Sequence, residues 1–162
     1  MRGMEMFVNS VRFRFRQDFR VTAKRAYQWC TDYRPSDSRL FEQKWRREVR
    51  QLSDDALILT ETTWPKGRRR VIRRLIRLSP QDLSWTNTHI SGPFLHSQYW
   101  YQIIPDGSRR SHLVFTGMRL VRTPKRLSRS QKARLVDQEL RGDSRLWRNR
   151  ITPVMERELA KA

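Results

Sequence analysis

The sequence predicts an α+β fold: an antiparallel sheet of about seven strands packed on a long C-terminal helix. Three observations carry this. Residues 11–21 alternate apolar and polar with a period of two. Between residues 45 and 121, strand-length runs are separated by turn dipeptides and proline-glycine signals. After residue 128 the apolar residues recur at every third or fourth position instead.

The elements follow in chain order. Val11, Phe13, Phe15, Phe19 and Val21 face one way, and Arg12, Arg14, Arg16, Asp18 and Arg20 the other. That pattern is a half-buried strand with a row of arginines outside. Thr22 is placed to cap a helix running to about Asp32, with Ala23, Ala26, Tyr27 and Cys30 on one side. The segment Arg34-Pro35-Ser36-Asp37-Ser38 breaks it, and residues 39–43 are expected to form a short helical turn. Strands are then expected at 45–52, 56–64, 68–78, 83–90, 95–104 and 111–121. Their terminators are Ser53-Asp54-Asp55, Pro65-Lys66-Gly67, Ser79-Pro80, Gly92-Pro93, Pro105-Asp106-Gly107 and Thr123-Pro124. Short loops between successive strands argue a meander. Ala133, Val136, Leu140, Trp147, Ile151, Val154 and Leu159 then define an amphipathic helix from about Ser128 to Leu159. Gly142 and Pro153 are expected to interrupt it.

Length and composition bound the possibilities. The chain has 162 residues, suited to a single domain over 1–162. Seventeen aromatic residues exclude a disordered tail, and the single Cys30 excludes a disulfide scaffold. No apolar run approaches the roughly 18 residues of a membrane span. Without an apolar signal core at the N-terminus, a cytoplasmic location is expected. Lys plus Arg number 35 against 16 acids, a net charge of +19, and all but 6 of those bases are arginine. Arginine forks suit phosphate and carboxylate. The spread of charge along the chain also fits a purely compositional bias.

The residues carry a family resemblance. Val21, Ala23, Ala26, Tyr27, Cys30 and Asp32 resemble a motif that opens many START-like (SRPBCC) domains. Tyr27 stands where tryptophan is common there, and Cys30 where leucine is common. Tyr99, Tyr101, Ile103, Pro105-Asp106-Gly107, Leu113 and Phe115 resemble a second stretch of that superfamily, which includes polyketide cyclases, lipid-transfer domains and coenzyme Q-binding proteins. The resemblance implies the helix-grip fold, in which a curved sheet wraps the C-terminal helix around an apolar cavity. It further implies a hydrophobic or amphipathic small-molecule ligand, including lipid.

The residues themselves suggest where such a cavity lies. A hairpin turning through Gly92-Pro93-Phe94 sets Trp85 opposite Tyr101, Asn87 opposite Tyr99 and His89 opposite Ser97. The expected lining is Phe13, Phe15, Tyr27, Trp85, Tyr99, Tyr101, Phe115 and Trp147, with Ile151 and Met155 closing over it. Asn87, His89 and Arg119 are its candidate polar groups. A buried arginine needs an acid, a ligand anion or water, which Arg119 must find. Cys30 reads as a small core residue, and Glu61 and Asp54-Asp55 as isolated carboxylates.

No nucleotide loop, nucleophile elbow or zinc-protease motif occurs, so no cofactor is expected. His89 and His96 lack a third ligand nearby in sequence, so no metal is expected either. No acid–base pair is evident. A cyclase or dehydratase is therefore a weaker alternative to a binding protein, and catalytic residues are not assigned. A second alternative is nucleic-acid or ribosome-associated binding through Arg12, Arg14, Arg16, Arg20, Arg68, Arg69 and Arg70, with an outward Trp100 as a stacking platform.

Overall fold

The computed structural model describes residues 6–40 and 44–162. Seven antiparallel strands form one curved sheet in the order β1-β7-β6-β5-β4-β3-β2. The strands are β1 (Phe7–Phe19), β2 (Trp45–Ser53), β3 (Ala56–Thr63), β4 (Arg70–Ser79), β5 (Ser84–His89), β6 (Gln98–Pro105) and β7 (Ser111–Thr123). The meander from β2 to β7 follows directly from the short turns. β1 closes the other edge, pairing with β7 from Phe7↔Thr123 to Phe19↔Ser111.

The first strand starts four residues earlier than the alternation suggested. Phe7 and Val8 are exposed, so their burial gives no period-two signal. Buried Asn9 ties this end down. Its amide nitrogen donates to the Thr123 hydroxyl at 2.8 Å, and its side-chain oxygen accepts from the Leu127 N–H at 3.2 Å.

Helix α1 (Ala23–Thr31) buries Ala23, Ala26 and Tyr27. Thr22 occupies the N-cap, but its hydroxyl makes no capping bond; only its carbonyl serves, accepting from the Ala26 N–H. Of the helical turn expected at 39–43, Arg39 and Leu40 end a turn that starts earlier. A 3₁₀ turn spans Pro35–Leu40, where Pro35 is preset for helical φ and Asp37 accepts from the Arg34 N–H. Residues 41–43 lie outside the described residues.

The C-terminal helix starts where expected. Ser128 forms a complete capping box with Gln131 ahead of α2 (Arg129–Leu146). Gly142 does not interrupt it, and is exposed with open space around its Cα. Pro153 is absorbed rather than obeyed as a break. Proline withdraws one backbone donor. The preceding turn, Trp147–Ile151, widens to π geometry, with the Thr152 N–H reaching back to the Trp147 carbonyl, and the axis continues as α3 (Thr152–Ala160). Ala133 was expected on the buried face but is exposed, because the N-terminal half of α2 buries no residue fully.

The core lies between sheet and helices. Phe19, Ala26, Leu59, Ile76, Leu113 and Met155 are each fully shielded from solvent. Gly117 on β7 is required by close approach: a Cβ there would meet the Phe13 ring at 2.5 Å.

Candidate functional site

A cavity of about 660 Å3 opens between the concave sheet face and the helices. Antiparallel register stacks the concave face of the sheet in rows, parts of which line the cavity. The innermost row is Leu78, Trp85, Tyr101, Phe115 and Phe15. The next is Ile76, Asn87, Tyr99, Gly117 and Phe13. Beyond it, Leu59, Arg74 and His89 are paired, then Arg47, Glu61 and Ile72. The wall thus grades from aromatic to charged along the strands.

The register expected around the β5–β6 turn is the one observed. Trp85 pairs with Tyr101 and Asn87 with Tyr99, while the His89 N–H donates to the Ser97 carbonyl. Trp85 and Tyr101 stack nearly parallel, with centroids 4.6 Å apart. Trp85, Asn87, His89, Tyr99, Tyr101, Phe115, Arg119, Trp147 and Ile151 all line the cavity.

Four expected lining residues do not. Phe13 lies in the gap left by Gly117. Phe15 stacks on Phe115 at 4.7 Å. Tyr27 packs edge-on to Trp85, and Met155 is wholly inside the core. All four fill space beside or behind the wall. Cys30, expected as a small core residue, packs against the core and also lines the cavity. Burial raises its thiol pKa, so it stays protonated and is a poor nucleophile.

The charged rim was not foreseen. Glu61 is 1% exposed and is no isolated carboxylate. Arg47 donates to it from Nε at 3.1 Å and Nη2 at 2.8 Å, and Arg74 also pairs with it. Arg47 further binds Asp37 at 2.7 Å and lies over the Trp45 ring. Arg119 finds its acid: Nη1 donates to Glu139 at 2.7 Å, Nε donates to the Tyr99 hydroxyl at 3.1 Å, and the Phe94 ring lies beneath. The missed signal was parity, since Arg47, Glu61 and Arg74 all fall at inward positions of their strands.

Several polar groups of the wall have no partner among the described residues. They are Asn87 Oδ1, His89 Nδ1 and Arg74 Nε, on the neighbouring strands β4 and β5. Burial, with Arg74 and Arg119 nearby, lowers the His89 pKa to about 4, so the ring is neutral near pH 7. Across the cavity, Asp143 of α2 shifts oppositely. Burial raises its carboxyl to about 6, against the pull of Arg119. Burial also raises the Tyr99 and Tyr101 hydroxyls. Asp143 stands one turn before the π-helical segment.

His96 is exposed in the left-handed region (φ 70°), and meets His89 only through a backbone bond, its N–H donating to the His89 carbonyl. His112 sits elsewhere, with Asp18 and Asp106, their ligand atoms within 4.8 Å of one another. Arg16 already bridges both of these carboxylates, at 2.9 and 3.3 Å, so a guanidinium supplies the positive charge there.

The outer arginines divide. Arg12, Arg14 and Arg16 project from β1, as the alternation implied. Arg20 lies past the end of β1, where its N–H donates to Glu156 of α3. Arg68, Arg69 and Arg70 gather at the β3–β4 turn instead of joining the face, and Arg73 and Arg77 of β4 take the outward positions. Among the described residues no helix is long and apolar enough to cross a membrane.

No protein-family model and no curated protein sequence matches the chain. Solved structures do. An aromatase/cyclase (Zhui) from Streptomyces sp. R1128 superposes with a TM-score of 0.72 at 12% identity, covering 94% of this chain and 96% of that one. Ara h 8.0201 gives 0.70 at 11%, covering 95% and 100%. The chain has the helix-grip fold. Norcoclaurine synthase from Thalictrum flavum, in complex with dopamine and hydroxybenzaldehyde, shares it at a TM-score of 0.65 and 9% identity, covering 96% and 88%. At these identities the likeness is one of fold alone.

Proposed function

We propose that this helix-grip protein binds an amphipathic small molecule with an aromatic or otherwise flat apolar body. The volume of about 660 Å3 lies within the ordinary range for ligand pockets. One observation carries the reading. Asn87 Oδ1 and His89 Nδ1 are buried on the cavity wall without partners among the described residues, one and two rows along from the stacked Trp85–Tyr101 pair. Unmet polar groups cost stability, and a ligand hydroxyl, which can donate to Asn87 Oδ1, offsets the cost. The apolar body then lies against Trp85, Tyr101, Phe115 and Trp147.

A fluorescent amphipathic probe, 1-anilinonaphthalene-8-sulfonate, tests this. Saturable binding at one site per chain is expected, with loss of at least about tenfold in affinity when Ile72→Trp fills the cavity. Unsaturable binding, or binding indifferent to Ile72→Trp, defeats the proposal.

A second reading takes the ligand as a substrate, and Asp143 favours it. A carboxyl that titrates near pH 6 inside a cavity suits proton transfer at neutral pH. On this reading the chain resembles the cyclase neighbours in activity as well as fold. The check is deuterium exchange at the acidic carbon of 1-phenyl-1,3-butanedione in heavy water. Catalysis above buffer, falling about 100-fold in Asp143→Asn, supports it. Equal rates in both proteins remove it.

A further inference from the structure

We infer that the convex face of the sheet binds an unpaired nucleic-acid strand, with Trp100 as the stacking platform and arginines on both sides as phosphate contacts. This rests on the outer face alone and is independent of the cavity.

Register supplies the geometry. One row crosses the face as Arg14, Thr116, Trp100, Thr86, Arg77. Trp100 is therefore central, with an arginine two strands away on each side. At about 4.8 Å per strand, each guanidinium arises roughly 10 Å from the ring's strand. That row continues past Arg77 to Ala56 and Ser53, while the adjacent one, Arg12, Met118, Gln98, Thr88, Leu75, Ile58, Arg50, begins and ends on arginine. Neither row contains an acid.

The charges on this face are available. Asp18 and Glu48 are its acids among the described strand residues, and they pair with Arg16 and Arg46. Arg12, Arg14, Arg50, Arg73 and Arg77 have no acid partner among the described residues, and all five are exposed. The contrast with the concave face is direct, because there every arginine of the Glu61 and Arg119 clusters is matched to a carboxylate.

Trp100 is 42% exposed, the one large apolar side chain exposed on the central strands β4 to β7. Thr86, Thr88, Thr116, Gln98 and Gln102 surround it with hydrogen-bonding groups on paired positions of the same face. A flat ring between arginines suits a base that can leave its own stack, and a duplex offers none. The surface fits a membrane less well, since a single exposed ring set flush in a sheet offers little area to insert among lipid chains. Self-association on this face would bring arginine rows together.

The test is fluorescence-anisotropy titration of the full chain with labelled uridine dodecamer, an RNA duplex of the same length, and vesicles of phosphatidylserine and phosphatidylcholine. With about four phosphates contacted, affinity for the dodecamer should fall roughly 50-fold between about 50 mM and about 200 mM salt. Trp100→Ala should weaken dodecamer binding at least about fivefold, and Trp100→Phe should restore most of it. Arg14→Ala and Arg77→Ala should each flatten the salt slope by about 0.7. Thermal melts of the variants, together with unchanged probe binding in the cavity, separate these effects from misfolding. Equal affinity for duplex and single strand, Trp100→Ala without effect, or tight binding to vesicles alone each overturn the inference.

Discussion

The two faces of one sheet treat arginine in opposite ways. On the concave face Arg47, Arg74 and Arg119 are drawn inside and matched to Glu61, Asp37 and Glu139. On the convex face Arg12, Arg14, Arg50, Arg73 and Arg77 are exposed and have no acid partner among the described residues. The lesson is that +19 is not one property. Removing an inward charge strands its partner in a poorly solvated place, whereas removing an outward one changes only the surrounding field.

Glu61→Gln breaks the contrast most severely. It leaves Arg47, whose side chain is 7% exposed, and Arg74 without their shared carboxylate. A loss of about 3–5 kcal/mol in urea unfolding is expected. Arg14→Ala on the outer face should stay within about 0.5 kcal/mol of the parent. A similar loss from both would refute the distinction.

The pH dependence sharpens it. Asp143 has its folded pKa raised, so the folded state holds its proton more tightly than the unfolded chain. Its contribution is favourable at pH 4 and is lost as pH rises through about 6. Asp143→Asn should therefore gain on the order of 2 kcal/mol at pH 7.5 relative to the parent, and nothing at pH 4. His89 has the opposite sign. Its lowered pKa makes the unfolded chain the better proton acceptor, so stability falls as pH drops from about 6.5 through about 4. His89→Gln should remove that acid-side fall. Denaturation midpoints across this window measure both, and a flat difference for either variant contradicts its assignment.

The effect at Gly117 is of similar size. The Phe13 ring fills the place of the missing side chain, so Gly117→Ala should cost about 1–3 kcal/mol through overpacking. Phe13→Leu added to it should recover part of that loss. Additive losses in the double variant would show that the ring is not what the glycine accommodates.

Much of this was legible in the residues. Alternation in β1, the turn signals of the meander and the change of period at Ser128 define the fold because each is a local rule. The β5–β6 register was legible for the same reason, and with it the Trp85, Asn87, Tyr99 and Tyr101 wall. The charged rim was not. Arginine in a strand is ordinarily an outward residue, so Arg47 and Arg74 gave no sign of burial until Glu61 was placed opposite Arg47 and diagonal to Arg74. Asp143 was hidden likewise, since its role depends on how α2 crosses a sheet distant in sequence. The requirement that Arg119 find an acid, a ligand anion or water named no partner, and Glu139 of α2 meets it only through the tertiary fold.

The alternation along β6 has one more consequence. Tyr99 and Tyr101 belong to the cavity while Trp100, between them, belongs to the opposite surface. Inserting one residue into this strand would trade the two sets, turning the tryptophan inward and the tyrosines out. Changes in chain length that keep both faces are therefore confined to the turns, and the segment from Ile90 to Ser97 is where β5 and β6 can diverge in length without exchanging inside for outside.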